Sequence, residues 1–311
     1  MHQYDIIGDI HGHADALTRL LDQLDYRQRN GCYQHPRRKV VFLGDFIDSG
    51  QQNRPVINLV KPMVECGVAY AVMGNHEYNA ICYHTKGADG QYLRQHSQKN
   101  KEQHQDFLVE YFPYPEEQKA VIDWFKTLPL FLEMAGLRLI HACWHQPTVD
   151  QFRSHLDDNN CLTPETLVAS ADKQANTFAY QAIETLLKGP EIDLPGGHCF
   201  VDQHDHKRDQ IRISWWNPSG QTYRDLAIVT EDIKPQIPDK LVQRAQNQSY
   251  GYSADQPPVF FGHYWQTTET AVVGTNVACL DWSVARGGRL AAYRWEGDSP
   301  LSRDQIISVK A

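Results

Sequence analysis

Two hydrophobic rhythms alternate along the first 77 positions. Tyr4-Asp5-Ile6-Ile7 is a short β-type run that stops at Gly8-Asp9. Leu17, Leu20, Leu21 and Leu24 then recur at helical spacing within 14–24. Lys39 to Leu43 returns to a strand pattern and stops at Gly44-Asp45. Residues 54–65 fit a helix whose first turn suits Pro55. Val68 to Met73 is a third strand, ending at Gly74-Asn75-His76. This order predicts a parallel βαβαβ unit with its strand ends on one edge, where open α/β sheets carry their sites.

Further along, residues 91–127 read as helical and polar. Leu130 to Ile140 predicts a hairpin that turns at Ala135-Gly136 and ends at His141. Residues 146–256 break the pattern. They hold helical stretches within 164–188, a polar His/Asp tract at 202–210, a strand carrying Trp215-Trp216 and a Pro-rich segment at 235–258. This region reads as a cap inserted into one domain spanning 1–311. Strand patterns at 259–261, 270–273, 276–280 and 289–294 predict hairpins that complete a second sheet. Residues after Asp298-Ser299-Pro300 read as a loose tail.

Composition narrows the class. A chain of 311 residues, 41% hydrophobic and 22% charged, can bury a core without disulfides and is not a disordered polymer. No apolar run approaches the ~18 residues of a membrane helix. The N-terminal segment lacks the basic and apolar blocks of a secretory signal, so a cytoplasmic protein is expected. With 38 acidic and 30 basic residues the net charge is -8, which argues against general binding to nucleic acid or anionic membranes. The seven cysteines form no C-x-x-C and read as reduced thiols.

The chemistry lies just after the strands. Gly8-Asp9-Ile10-His11-Gly12, Gly44-Asp45-Phe46-Ile47-Asp48-Ser49-Gly50, Gly74-Asn75-His76-Glu77, His141 and Gly262-His263 each follow an apolar run. Taken singly, such Asp and Asn residues read as turn or cap chemistry. Together they place carboxylate, amide and imidazole donors on one edge, the mixed O/N set that divalent transition metals favour. Paired metals in such a set activate water toward phosphorus. Other residues read as structural: His145 as a loop residue, His204 and His206 as parts of a solvated loop, and Trp215-Trp216 as packing rather than a base platform. His13 is a candidate for the rim of the site.

The ordered blocks GDxHG, GDxxDxG and GNHE, followed by two later histidines, resemble the calcineurin-like metallophosphoesterase superfamily. Within it they are similar to the phosphoprotein-phosphatase branch, which includes bacterial Ser/Thr phosphatases and symmetrical diadenosine-tetraphosphatases. The resemblance implies an α/β sandwich of two mixed sheets flanked by helices, with two divalent metal ions, Mn first and Fe or Zn as options. It implies that Asp9 and His11 hold one ion, Asp45 both, and Asn75, His141 and His263 the other. It implies that His76, held by Asp48, protonates the leaving group while water activated by the metals attacks, without a phosphoenzyme. The family's Arg after the second Asp of GDxxDRG is Ser49 here, so Arg54, Arg208 and Arg212 become candidates for the phosphate-binding cation. The family's GHxH ends in Trp265. The expected function is phosphomonoester hydrolysis on a phosphoprotein or small phosphorylated molecule. Alternatives are a dinucleoside polyphosphate hydrolase, a nucleotide or RNA-end phosphatase, and a non-catalytic metal-binding interaction protein.

Overall fold

The computed structural model describes residues 3–134, 136–202, 206–242, 250–266, 274–297 and 300–311. Two mixed sheets pack face to face. The first has the strand order Ile306–Lys310, Arg289–Trp295, Gln3–Ile7, Arg38–Phe42, Ala69–Ala71. Its last three strands are parallel, joined through helices Ala14–Gln23 and Asn53–Glu65, as the alternating pattern predicts. The second sheet has the order Val277–Cys279, Val259–Phe261, Leu137–Ile140, Phe131–Met134.

The period-2 pattern explains the layers. Tyr4, Ile6, Val41, Leu137, Leu139, Phe260, Ala278, Tyr293 and Trp295 form one buried cluster between the sheets. Their neighbours Ile7, Val40, Phe42, Ile140, Val259 and Phe261 face outward and join the apolar faces of the helices. Asp5 also faces outward on Gln3–Ile7 yet is fully buried. It accepts from Arg38 Nε at 2.9 Å, Arg294 Nε at 3.1 Å and the Tyr26 hydroxyl at 3.0 Å.

Four expectations change. Arg289–Trp295 does not extend the second sheet; it pairs antiparallel with Gln3–Ile7 in the first. Its residues 293 and 295 are apolar and in phase with residues 4 and 6, so the pairing buries both sets on one face. The strands 259–261 and 277–279 are parallel neighbours rather than a hairpin. The loose tail is instead the edge strand Ile306–Lys310, registered on Arg289–Tyr293 and held by Arg19 Nη2 donating to the Lys310 carbonyl at 2.7 Å. Trp215-Trp216 lie in a turn, not a strand, and pack on Phe261 with ring centroids at 4.9 and 5.0 Å. The expected strand at 270–273, Ala135 of the predicted turn, and His204 and Asp205 lie outside the described residues.

Within 146–256, the helices Gln146–Phe152, Pro164–Ala171 and Phe178–Lys188 place their apolar faces in the main core. A smaller core of Leu194, Phe200, Ile211, Ile213, Tyr223, Leu226, Ile233 and Ile237 stands apart from it. No helix among the described residues is long and apolar enough to cross a membrane.

Candidate metal centre and acid pair

The C-terminal ends of six strands meet at one edge, and the loops that leave them are tied together. The Ile10 and His11 N–H groups donate to the Asp45 carbonyl at 3.0 and 2.9 Å. The buried Glu77 carboxylate, at the start of helix Asn75–His84, accepts from the N–H groups of Asp45, Phe46 and Gly74 at 2.8, 2.8 and 2.9 Å. His11, Asp45, Asp48, Ser49 and His263 all take positive φ. Such backbone costs about 1–3 kcal/mol per residue and persists only where surrounding contacts over-determine it. Two glycines make room for the carboxylates: a Cβ on Gly262 would meet Asp9 Oδ1 at 1.9 Å, and one on Gly74 would meet Asp45 Oδ1 at 2.2 Å.

The structure brings all six expected ligands together. His11 Nδ1 donates to the Ile47 carbonyl at 3.1 Å, and His141 Nδ1 donates to the Leu43 carbonyl at 2.8 Å. Each bond fixes the tautomer and turns Nε2 inward. Asp45 Oδ2 then lies 3.5 Å from His11 Nε2 and 3.4 Å from His141 Nε2. Asn75 Oδ1 lies 3.0 Å from His141 Nε2 and 2.8 Å from His263 Nδ1. Asp9 Oδ2 accepts the His263 N–H at 3.0 Å. These donors form two overlapping sets sharing Asp45: one with His11 and His76, the other with His141 and His263.

The set fits divalent cations by its unpaired groups. Asp9 Oδ1 and Asp281 Oδ2 are buried without a hydrogen-bond partner. Burial, then the charge of Asp281, pushes the Asp9 carboxyl well above its usual range. Carboxylates so placed need positive charge beside them.

At the rim stands an imidazole–carboxylate pair. His76 Nδ1 donates to Asp48 Oδ2 at 2.7 Å, and the His76 ring meets His11 edge-on with centroids 4.8 Å apart. Burial alone would lower the His76 pKa, but the charge of Asp45 and the bond to Asp48 hold it at about 9. Burial would raise that of Asp48, yet its bonds to His104 and His76 bring it down to about 2.

Of the candidate cations, one reaches this centre. Arg212 Nη1 lies 3.2 Å from His263 Nε2, while its Nη2 donates to Glu191 at 3.2 Å. Arg54 is directed elsewhere: its Nε donates to both Glu117 oxygens at 2.9 Å, and its guanidinium lies 4.1 Å from the Tyr114 ring centroid. Arg208 is exposed and donates to Asp202 at 2.8 Å. His13 Nδ1 donates back to the His11 carbonyl at 2.6 Å, and His145 bonds Thr148 Oγ1 at 2.7 Å. Three site residues escape the sequence reading. They are Glu77 as loop clamp, Asp281 beside Asp9, and His104, whose Nδ1 donates to Asp48 Oδ1 at 2.9 Å.

A family model described as calcineurin-like phosphoesterase matches residues 3–263. The chain belongs to the calcineurin-like phosphoesterase family. Among relatives of this chain is the asymmetrical bis(5'-nucleosyl)-tetraphosphatase PrpE of Halalkalibacterium halodurans, 48% identical over 75 residues, or 24% of this chain and 30% of that one. The PrpE of Oceanobacillus iheyensis is 30% identical over 180 residues, 56% of this chain and 62% of that one. The chain thus spans less than two thirds of the length of these curated relatives. A cold-active protein-tyrosine phosphatase of a psychrophilic Shewanella has the same fold, with a TM-score of 0.52 at 15% identity over 99% of this chain and 80% of that one.

Proposed function

We propose that this chain is a metal-dependent phosphoester hydrolase. The observation that carries the reading is the meeting of the His76–Asp48 pair with a buried donor set beside which Asp9 Oδ1 and Asp281 Oδ2 have no hydrogen-bond partner. Asp9 and His11 would hold one ion, Asn75, His141 and His263 the other, and Asp45 both. When bound, the ions would lower the pKa of water and neutralise phosphoryl charge; Mn is the first choice for this mixed oxygen and nitrogen set. Asp48 accepts a hydrogen bond from His76 Nδ1–H, which fixes the ring and stabilises the imidazolium, so that Nε2–H supplies the proton that passes to the leaving oxygen. Arg212, carried by the inserted segment 146–256, would bind the phosphoryl group.

Trp215 is only 2% exposed, so base stacking does not fall to it. The names of the PrpE relatives make dinucleoside polyphosphates the first substrates to try, with phosphomonoesters second. The seven cysteines form no disulfide, which suits a reducing compartment, and we place the chain in the cytoplasm.

The test is turnover of metal-stripped protein refilled with Mn²⁺ on p-nitrophenyl phosphate, bis-p-nitrophenyl phosphate, a phosphopeptide and diadenosine tetraphosphate. Asp45→Asn is expected to lose metal and activity together. His76→Ala should keep both ions and lose about 10²-fold or more in rate on a poor leaving group. Metal-loaded wild type that turns over no member of the panel would overturn the reading.

A further inference from the structure

Trp265 is set apart from the other tryptophans. All seven lie among the described residues. Six are at most 9% exposed, whereas Trp265 is 52% exposed. A single exposed aromatic says little by itself. Its setting is what gives it a use.

Strands Leu137–Ile140, Val259–Phe261 and Val277–Cys279 are parallel neighbours, so the loops that leave them open on one edge. The first loop carries His141, the second His263 and Trp265, and the third Asp281 and Arg286. Two residues of chain put the Trp265 Cα no more than about 7 Å from that of His263. The backbone is fixed on both sides of the indole. The His263 N–H donates to Asp9 Oδ2 at 3.0 Å, and the Gln266 N–H donates to the Asp281 carbonyl at 2.8 Å. The ring is oriented too: the Arg286 guanidinium, on the turn Val284–Arg286, lies 3.4 Å from its centroid. A stacked guanidinium steadies an indole, and here it does so while half of the residue stays open to solvent.

A steadied, open indole beside a donor set for metals is a platform for another flat ring, because stacking asks only for a π-face. The ring of a phosphotyrosine is joined to phosphorus through one oxygen and would sit over the donor set itself. Trp265 is outside that set and next to it. A nucleobase is separated from its phosphates by a sugar, so it reaches past the donors to such a neighbour. We infer that Trp265, backed by Arg286, is the platform on which the base of a nucleotide substrate stacks. This deepens the function proposed above and rests on it for the placing of the phosphates at the donor set.

The experiment compares Mn²⁺-loaded wild type, Trp265→Ala and Trp265→Phe on diadenosine tetraphosphate, inorganic tripolyphosphate and a phosphotyrosine peptide. Loss of one base stack predicts that Trp265→Ala lowers kcat/KM on the dinucleotide about five- to a hundredfold, mostly through KM. The loss is smaller on tripolyphosphate, which has the anhydride and no base, and Trp265→Phe recovers part of the dinucleotide rate. Equal losses on dinucleotide and tripolyphosphate, none on the dinucleotide, or a larger loss on the peptide overturn the inference and leave the hydrolase reading standing. A second measurement needs neither turnover nor a substitution at 265. It uses protein that does not consume the dinucleotide: wild type if it proves inactive on every substrate, which removes the hydrolase reading, and His76→Ala otherwise. Acrylamide quenching of tryptophan fluorescence is expected to fall when diadenosine tetraphosphate is added and not when tripolyphosphate is. Quenching that the dinucleotide leaves unchanged overturns the platform whichever way the hydrolase reading falls.

Discussion

Asp48 shows how much of the candidate centre depends on residues outside the donor set. One of its oxygens takes His76 and the other takes His104, so its carboxylate has a single orientation. His104 is a positioning residue: it is buried, stacked on Phe107, and its Nε2 faces His84 Nε2 at 3.3 Å. His104→Ala is expected to slow hydrolysis about tenfold for poor leaving groups and much less for p-nitrophenyl, because only the former need a well-placed acid. A uniform loss across leaving groups would reduce His104 to packing. His84 itself is held neutral by burial and by the charges of His104 and His96, with its pKa lowered to about 4. The unfolded chain, with His near 6.5, then binds more protons than the folded one, so stability falls as pH drops from about 6.5 toward 4. His84→Gln should flatten that part of the urea-midpoint profile; an unchanged slope would refute the assignment. The glycine-flanked donors were legible in the sequence because each sits directly after a strand. His104 was not, since 56 residues separate it from Asp48 and only packing brings them together.

At the scale of elements, the first turn of Asn75–His84 works as a clamp on two strand-end loops through Glu77. Three backbone N–H groups converge on its carboxylate. Burial, with the charge of Asp45, pushes its pKa up to about 7. Glu77→Gln keeps the shape but turns an NH₂ group toward N–H donors. It should cost about 2–4 kcal/mol, read as a lower urea midpoint, and weaken metal retention; a midpoint within experimental error of wild type would show that the loops hold without it. The βαβαβ half was readable because local periodicity and sheet neighbours coincide there. The later strands were misassigned because register partners, not local pattern, decide their sheet: residues 289–295 pair with 3–7 across nearly the whole chain.

For the whole molecule, the outward face of the first sheet is fastened by a buried charge cluster. Asp5 joins Arg38, Arg294 and Tyr26, and Arg38 also donates to the Tyr4 and Trp295 carbonyls at 2.7 and 2.9 Å. Asp5→Ala leaves the buried Arg38 with only the exposed Glu296 as a charged partner, at 3.2 Å, and should cost about 3–5 kcal/mol in unfolding free energy. A thermal midpoint equal to wild type would contradict this. The same pairing has a consequence for biosynthesis. Asp9 and Asp45 leave the ribosome early, but the strand that pairs with Gln3–Ile7, Arg289–Trp295, is made long after them. Until then Gln3–Ile7 has one open edge, Asp5 lacks Arg294, and these early carboxylates sit on an unfinished scaffold. A chain stalled before residue 289 is therefore expected to be cut by proteases more readily than one that carries the Arg289–Trp295 strand.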